Sequence, residues 1–463
     1  MRNNIRKLGI FLLGILILLI LYLSYIQLKT GPELASHPKN YRLTEEMSKI
    51  HRGAILDNQG NILAETRWDD ESGLRHYPLA EKTAHLLGYT SIKYGSAGLE
   101  GAYNRELLGL TSEGKFLNLM RQVTGEQPVG EDLVLTIDGE LQHLAVKLLA
   151  QTGKPGAVVA VNPRTGAILT AASYPSFDPN NLETQWDSLV NNQQSPLLNR
   201  AFQGAYPPGS VIKPAIAVAA LEADNQLATG KFNCPGYLEQ NGVKLADNGV
   251  HGQVDLTQAL VVSCNTTFGQ LGVSLGKTKL ETALGDFGFN SDFDLPIDVR
   301  PSTITNDDNI EKQELAEAAI GQGELLVSPL QMAMVASTIA NNGILMQPYL
   351  VQEIIAPTGE TTMQHQPQIL KQVTTEDIAR FVNQGMVGVV ERGTGKTAAI
   401  SGISVAGKTG TAENQQGQPH AWFIGFAPAH DPQIALAVIV ENGGSGGTVA
   451  APIAQQMILE ALR

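Results

Sequence analysis

An α/β fold with an antiparallel C-terminal sheet and a separate helical lobe is predicted by three observations. Residues 421–426 and 434–440 are apolar strand candidates, separated by the turn-like His430-Asp431-Pro432. Residues 156–173 read as a hairpin about Asn162-Pro163-Arg164-Thr165-Gly166. Residues 140–151, 210–223 and 450–462 carry apolar side chains at helical spacing.

The elements follow in chain order. Residues 8–26 are an uncharged, strongly apolar run of about the 20 residues that cross a bilayer. Arg2, Arg6 and Lys7 precede it, which places the N-terminus inside. A cleaved signal peptide would have a shorter apolar core ending in small residues. This run ends in Tyr22, Tyr25, Ile26 and Gln27, so an uncleaved anchor is expected, with everything after Lys29 outside the cytoplasm. Residues 30 to about 130 are polar and mixed, a strand is expected at 132–138, and the helix at 140–151 follows. A chain of 463 residues has room for one large and one smaller domain.

Composition narrows the function. The net charge of -13, with no basic patch, argues against a nucleic-acid partner. Cys234 and Cys264 are the only cysteines, so there is no disulfide framework. They form either one bridge, in an oxidising compartment, or two separate, partly buried thiols. Cys/His metal spacing is absent and the nine histidines are scattered, so no metal and no cofactor are expected.

Three short motifs carry the chemistry: Ser210-Val211-Ile212-Lys213, Ser263-Cys264-Asn265 and Lys408-Thr409-Gly410-Thr411. A serine hydroxyl is a poor nucleophile at neutral pH and needs a base nearby. Tyr206-Pro207-Pro208-Gly209 marks a turn, after which Ser210 opens a helix. Pro214 is tolerated in the first turn, where its missing N–H has no helical partner. Lys213, at i+3, shares the face of Ser210. It acts as base only if burial or a second cation depresses its pKa, and Lys408 is the candidate cation. The alternative is an N-cap serine with a solvated lysine. Ser263 and Asn265, at i and i+2, face one cleft if the stretch is extended; otherwise they are turn formers. The lysine motif lies on the first of three antiparallel strands, where Gly410 lets another backbone approach.

Two further patterns are decoys. Residues 402–409 match the P-loop spacing, but strand-end and turn residues follow instead of a helix. Residues 443–447 match a nucleophile elbow, but no histidine follows Ser445 to complete a triad. That stretch is expected to be a flexible loop at the mouth of the site.

In this order and spacing the three motifs resemble those of class B penicillin-binding proteins. The resemblance extends along nearly the whole chain. It includes Arg52-Gly53-Ala54-Ile55-Leu56-Asp57 with Gly60, Gly98-Leu99-Glu100, residues 159–166, Gly321-Gln322-Gly323 with Ser328-Pro329, and Trp422-Phe423-Ile424-Gly425. The resemblance implies the serine penicillin-recognising transpeptidase fold: an antiparallel five-stranded sheet flanked by helices, plus an all-helical lobe. It implies residues 1–7 in the cytoplasm, an anchor at 8–28, a short pedestal at 29–130 and a transpeptidase domain at 131–463. It implies Ser210 as the acylated nucleophile, Lys213 as its base, and Ser263 with Lys408 as proton relay. Asn265 would bind a substrate amide. Thr409, Gly410 and Thr411 would line the substrate strand, the threonines receiving a carboxylate. N–H groups of Ser210 and Thr411 would form the oxyanion hole, and Cys264 would carry no catalytic role.

The implied activity is a membrane-anchored peptidoglycan D,D-transpeptidase that cross-links stem peptides and is acylated by β-lactams. A D,D-carboxypeptidase, a β-lactamase-like hydrolase, a β-lactam sensor and a non-catalytic scaffold are the other readings. The stretch before the catalytic part is too short for a glycan-polymerising domain, so a SEDS-family polymerase is the partner the resemblance implies.

Overall fold

The computed structural model describes residues 2–31, 50–68, 73–91, 93–240, 243–304, 311–414 and 417–463. Helix α1 (Arg2–Tyr25) runs into a π-helical turn, Ile26–Thr30. Its stretch Arg6–Tyr25 is 20 residues long and buries no face against the rest of the chain. That is the length and composition of a bilayer-spanning helix.

The pedestal is organised by a six-stranded sheet. Its order is Thr361–Gln364, Val351–Ile355, Asp132–Leu135, Ile55–Leu56, Ile62–Trp68 and Gly73–His76. The strand expected at 132–138 is shorter, and it belongs to this sheet rather than to the catalytic one. Asp132–Leu135 pairs parallel with Ile55–Leu56 and antiparallel with Val351–Ile355. The sheet therefore spans the boundary expected between residues 130 and 131, because a hairpin from far along the chain completes it. At its edge, Arg52 Nε and Arg75 Nε each donate to the buried Glu100 carboxylate at 2.6 Å. Burial alone would raise the Glu100 carboxyl, but the charges of Arg75 and Arg52 outweigh it and hold it below the usual carboxylate range. Two sequence motifs 48 residues apart thus meet in one buried ion cluster.

The catalytic half contains α2 (Gly139–Gln151), β1 (Gly156–Val161), β2 (Ile168–Tyr174), α3 (Lys213–Ala223), α4 (Leu256–Val262), α5 (Asn265–Asp286), α6 (Pro329–Ala340), α7 (Glu376–Arg392), β3 (Ala406–Ala412), β4 (His420–Ala427), β5 (Ile434–Val440) and α8 (Ala450–Ala461). The five strands form one antiparallel sheet in the order β3-β4-β5-β1-β2. Successive strand residues point to opposite faces, and here both faces are apolar. Ile434, Leu436, Val438 and Val440 pack with Leu141, Leu149, Ile453 and Met457 of α2 and α8. Ala435, Ala437 and Ile439 pack on the other face with Met332, Ala333 and Ala336 of α6. This explains why β5 reads as a continuous apolar run. The helical lobe, α4 and α5 with α3 and α7, joins that second core through Leu260, Phe268, Ile216 and Met386. Strand β3 is left at the sheet edge, facing the lobe.

Candidate active site

Ser210 sits in a 3-10 turn, Gly209–Ile212, that feeds directly into α3, with Pro214 in the first helical turn. The turn is held from two sides. Gly209 N–H donates to Gly321 O at 2.8 Å. Trp422 Nε1 donates to Pro207 O at 3.1 Å. Gly321 itself has φ +79, and a Cβ there would lie 2.1 Å from Gly209 O. Only glycine allows that approach and that backbone, which gives Gly321-Gln322-Gly323 its physical meaning.

Lys213 is fully buried, and its Nζ donates to Ser263 O at 2.8 Å, Asn265 Oδ1 at 2.7 Å and Ser263 Oγ at 3.3 Å. Lys408 is equally buried and its Nζ donates to Ser263 Oγ at 2.9 Å and Thr409 O at 2.9 Å. One hydroxyl therefore bridges two buried amines. Burial pulls Lys213 down from 10.5 to about 7, against the opposing pull of Asp247. Burial lowers Lys408 well below the usual lysine range, and the charge of Lys213 adds to that. Two cations this close cannot both stay charged out of water, so the pair shares fewer than two protons at neutral pH. Lys213 thus meets the condition the sequence set for a base, a depressed pKa, and desolvation is the main cause. No hydrogen bond joins Lys213 to Ser210 Oγ among the described residues. Such contacts tighten when substrate arrives.

Ser263 reaches between the lysines because its backbone is left-handed, φ 59 and ψ 43, at the C-cap of α4. A serine rarely adopts this conformation, which costs on the order of 1–3 kcal/mol and must be held by its surroundings. Asn265 opens α5, and its Nδ2 donates to Ala246 O at 3.0 Å.

Edge strand β3 brings the third motif. Lys408 and Gly410 lie on one side of the strand, Thr409 and Thr411 on the other. A Cβ at Gly410 would meet Pro208 O and the Val211 side chain at 3.0 Å, so β3 packs directly on the Ser210 turn. Ser210, Ser263, Asn265, Thr409 and Thr411 line one cleft of about 730 Å³, with Lys244, Asp247, Glu317, Thr394 and Glu413 beside them. All eight site residues expected from the motifs converge here, in and around that cleft.

The decoys resolve as folded context. Residues 402–409 lead into β3 and no helix follows, so the P-loop spacing has no P-loop structure. Ser445 and Gly447 line the mouth of the cleft, and a Cβ at Gly446 would fall 2.3 Å from Gly410 O. The glycines there permit close cover of β3. Sequence reasoning missed Thr394, whose Oγ1 is hydrogen-bonded to Thr409 Oγ1, and Asp247, whose Oδ2 accepts from Thr266 N at 2.7 Å. Both lie on connecting segments without periodic pattern. The two cysteines are free and buried, and Cys264 packs beside Asp247 rather than lining the cleft.

Comparisons agree with the geometry. The family described as "Penicillin binding protein transpeptidase domain" matches residues 156–459, and "Penicillin binding protein A dimerisation domain" matches residues 52–133. The peptidoglycan D,D-transpeptidase PbpA of Mycolicibacterium smegmatis is 34% identical over 100% of this chain and 99% of its own length. Its counterpart in Mycobacterium tuberculosis is 35% identical over the same shares. The structure of penicillin-binding protein A from M. tuberculosis as a ceftriaxone acyl-enzyme superposes with a TM-score of 0.86 at 34% identity, covering 90% of this chain and 100% of that one. The Ser210 turn, two buried lysines joined by one serine, and an edge strand closing the cleft therefore coincide with matches over nearly the whole length: the chain belongs to the penicillin-binding protein transpeptidase family.

Proposed function

We propose that this protein is a membrane-anchored peptidoglycan D,D-transpeptidase. The observation that carries the proposal is the buried chain Lys213–Ser263–Lys408 behind Ser210. Neutral Lys213 takes the Ser210 proton as Oγ attacks the penultimate D-Ala carbonyl of a stem peptide. N–H groups of Ser210 and Thr411 receive the developing oxyanion. The C–N bond breaks as Ser263 gives its hydroxyl proton to the departing D-Ala amine and regains one from the Lys213–Lys408 pair, which holds the proton taken from Ser210. An amine of a neighbouring stem then attacks the ester; its N–H proton passes through the same pair to Ser210 Oγ as the ester C–O bond breaks, which frees Ser210 and completes the cross-link. Asn265 holds a donor amide, and Thr409 and Thr411 hold the terminal carboxylate. A β-lactam follows the first step, but its opened amide stays attached and blocks the second.

The apolar α1 with Arg6 and Lys7 at its start supports an N-terminus in the cytoplasm and a catalytic domain outside. The same reading divides the chain into a cytoplasmic 1–7, an anchor at 8–28, a pedestal at 29–130 and a transpeptidase domain at 131–463, which lends strands 132–135 and 351–364 to the pedestal sheet. An apolar helix with no buried face also supports contact with a SEDS-family polymerase in the bilayer. Intact-mass measurement with penicillin tests the core proposal. One adduct per chain, mapping to Ser210 and absent in Ser210→Ala, is expected. An adduct at Ser445, or one that survives Ser210→Ala, overturns the assignment. With donor and acceptor stems supplied together, cross-linked product is expected over hydrolysed donor.

A further inference from the structure

The pedestal helix Ser112–Thr124 is seated on its domain in reverse. A surface helix normally turns its apolar stripe to the core and its polar face to water. Here Phe116, Leu119, Met120 and Val123, at i, i+3, i+4 and i+7, form the outward face, with exposures of 64%, 58%, 52% and 77%. The buried residues of this helix are Gly114 and Asn118, so the seated face is small and polar. Successive helical residues turn by about 100°, which puts that pair opposite the apolar four.

Polar contacts fix the orientation. Asn118 Nδ2 donates to Val129 O at 3.2 Å, and Val129 N–H donates to Asn118 Oδ1 at 2.9 Å. A Cβ at Gly114 would stand 2.8 Å from Gly109 O, so the helix backbone rests directly on the preceding turn. Thr111 Oγ1 accepts from Gly114 N at 3.0 Å at one end, and Gly125, with φ 79, caps the other. Rotating the helix to bury its apolar stripe would break the Asn118 pair. The stripe is therefore held outward by the fold, and a contiguous exposed apolar stripe marks a contact surface.

Three observations identify lipid as what covers it. The first is where the chain arrives from α1. His51 N–H donates to Pro128 O at 2.8 Å and Gly130 N–H donates to His51 O at 2.8 Å, so the chain enters the pedestal beside the end of this helix. Between Gly31 and Ile50 lie 18 residues, which reach at most about 60–65 Å when fully extended. Such a tether keeps the helix at high local concentration beside the bilayer. The second is size. At roughly 150–200 Å² for a large apolar side chain, the four present on the order of 400 Å². That is about half of what one partner gives to a standard protein interface, whereas entry into lipid headgroups needs no complementary surface. The third is charge. Glu113 and Glu126 balance Lys115 and Arg121, so no net charge on this segment selects a charged protein partner.

We propose that the apolar face of Ser112–Thr124 inserts into the headgroup region of the bilayer that α1 crosses, giving the pedestal a second attachment to the same membrane. This goes beyond the transpeptidase reading and rests only on its membrane anchor. With α1 and this helix both held, the pedestal no longer swings freely about one tether. The match of residues 52–133 to a dimerisation domain makes a second copy of the chain the rival occupant.

The test uses the full-length protein reconstituted in vesicles of phosphatidylethanolamine and phosphatidylglycerol. Leu119→Cys and Val123→Cys, each separately, carry an environment-sensitive nitrobenzoxadiazole label. Asp377→Cys, whose position is 92% exposed in the catalytic half, is the water reference, and the parent with its buried Cys234 and Cys264 is the labelling control. Labels at 119 and 123 are expected to emit to the blue of the label at 377. They are expected to lose most of their intensity to nitroxide-bearing lipid at every protein density, while the label at 377 keeps its own. High salt is expected to leave that loss unchanged, because the attraction is apolar. Phe116→Glu combined with Met120→Glu is expected to abolish the quenching at 123, while the protein still floats with the vesicles and still captures penicillin. Labels at 119 and 123 that stay as water-exposed as the label at 377 overturn the proposal. A blue shift that ignores nitroxide lipid and grows with the protein-to-lipid ratio assigns the face to a second copy and overturns it equally. Protein that does not float at all refutes the anchor and this proposal with it, and flotation tells that failure apart from the others.

Discussion

The pH dependence of acylation tests the central electrostatic feature of the site. Lys213 is fully buried, and burial lowers its pKa from 10.5 to about 7. At about 1.4 kcal/mol per pH unit, that fall disfavours the charged form by roughly 5 kcal/mol. An ordinary lysine would be neutral in roughly one molecule in 3,000 at pH 7, whereas this one is neutral in about half. Only the neutral amine can accept the Ser210 proton, so the sign is fixed: activity is lost as pH falls through the folded pKa. The second-order rate constant for acylation by a fluorescent penicillin is expected to rise roughly 50-fold from pH 5 to 7 and only about twofold from 7 to 9. The apparent midpoint belongs to the Lys213–Lys408 pair, because one hydroxyl joins them. Lys213→Arg keeps the charge but cannot deprotonate. It is expected to slow acylation by roughly 100-fold or more and to abolish the plateau. A parent rate that climbs tenfold per unit from pH 7 to 9 would refute the desolvation argument.

Three further outcomes follow from named contacts. Ser263→Ala removes the oxygen shared by the lysines and is expected to slow acylation by roughly 100-fold. Ser263→Gly relieves the left-handed backbone but lacks the same hydroxyl, so full activity in both variants would exclude the relay. Gly321→Ala places a Cβ 2.1 Å from Gly209 O at φ +79, and is expected to cost about 1–3 kcal/mol in urea unfolding and to slow acylation. An unchanged urea midpoint would show that the turn yields freely. Glu100→Ala strands two buried guanidinium groups and is expected to destabilise the pedestal by about 3–5 kcal/mol, while penicillin capture by the catalytic half persists. A parent-like unfolding curve would show the ion cluster to be dispensable.

Much of the site was legible in the chain because its chemistry is local. Ser210 and Lys213 are one helical turn apart, Ser263 and Asn265 two residues apart, and Lys408 to Thr411 lie on one strand. Local spacing fixes which side chains share a face, and apolar periodicity marked β4, β5, α2 and α8 within a residue or two. The apolar helix α1 was equally plain, since length and apolarity are properties of the sequence itself. What the sequence left open depends on distance through space. The depressed Lys213 pKa requires knowing that no water reaches it. The place of Asp132–Leu135 was decided by Val351–Ile355, some 200 residues on, which completes the pedestal sheet beside it. Thr394 meets Thr409 only because the segment after α7 folds over β3. Phe116, Leu119, Met120 and Val123 share a helical face by spacing alone, but the Asn118–Val129 pair decides that this face points outward. Local spacing determines which side chains stand together, and only the packing partners determine whether they meet the core or the surroundings.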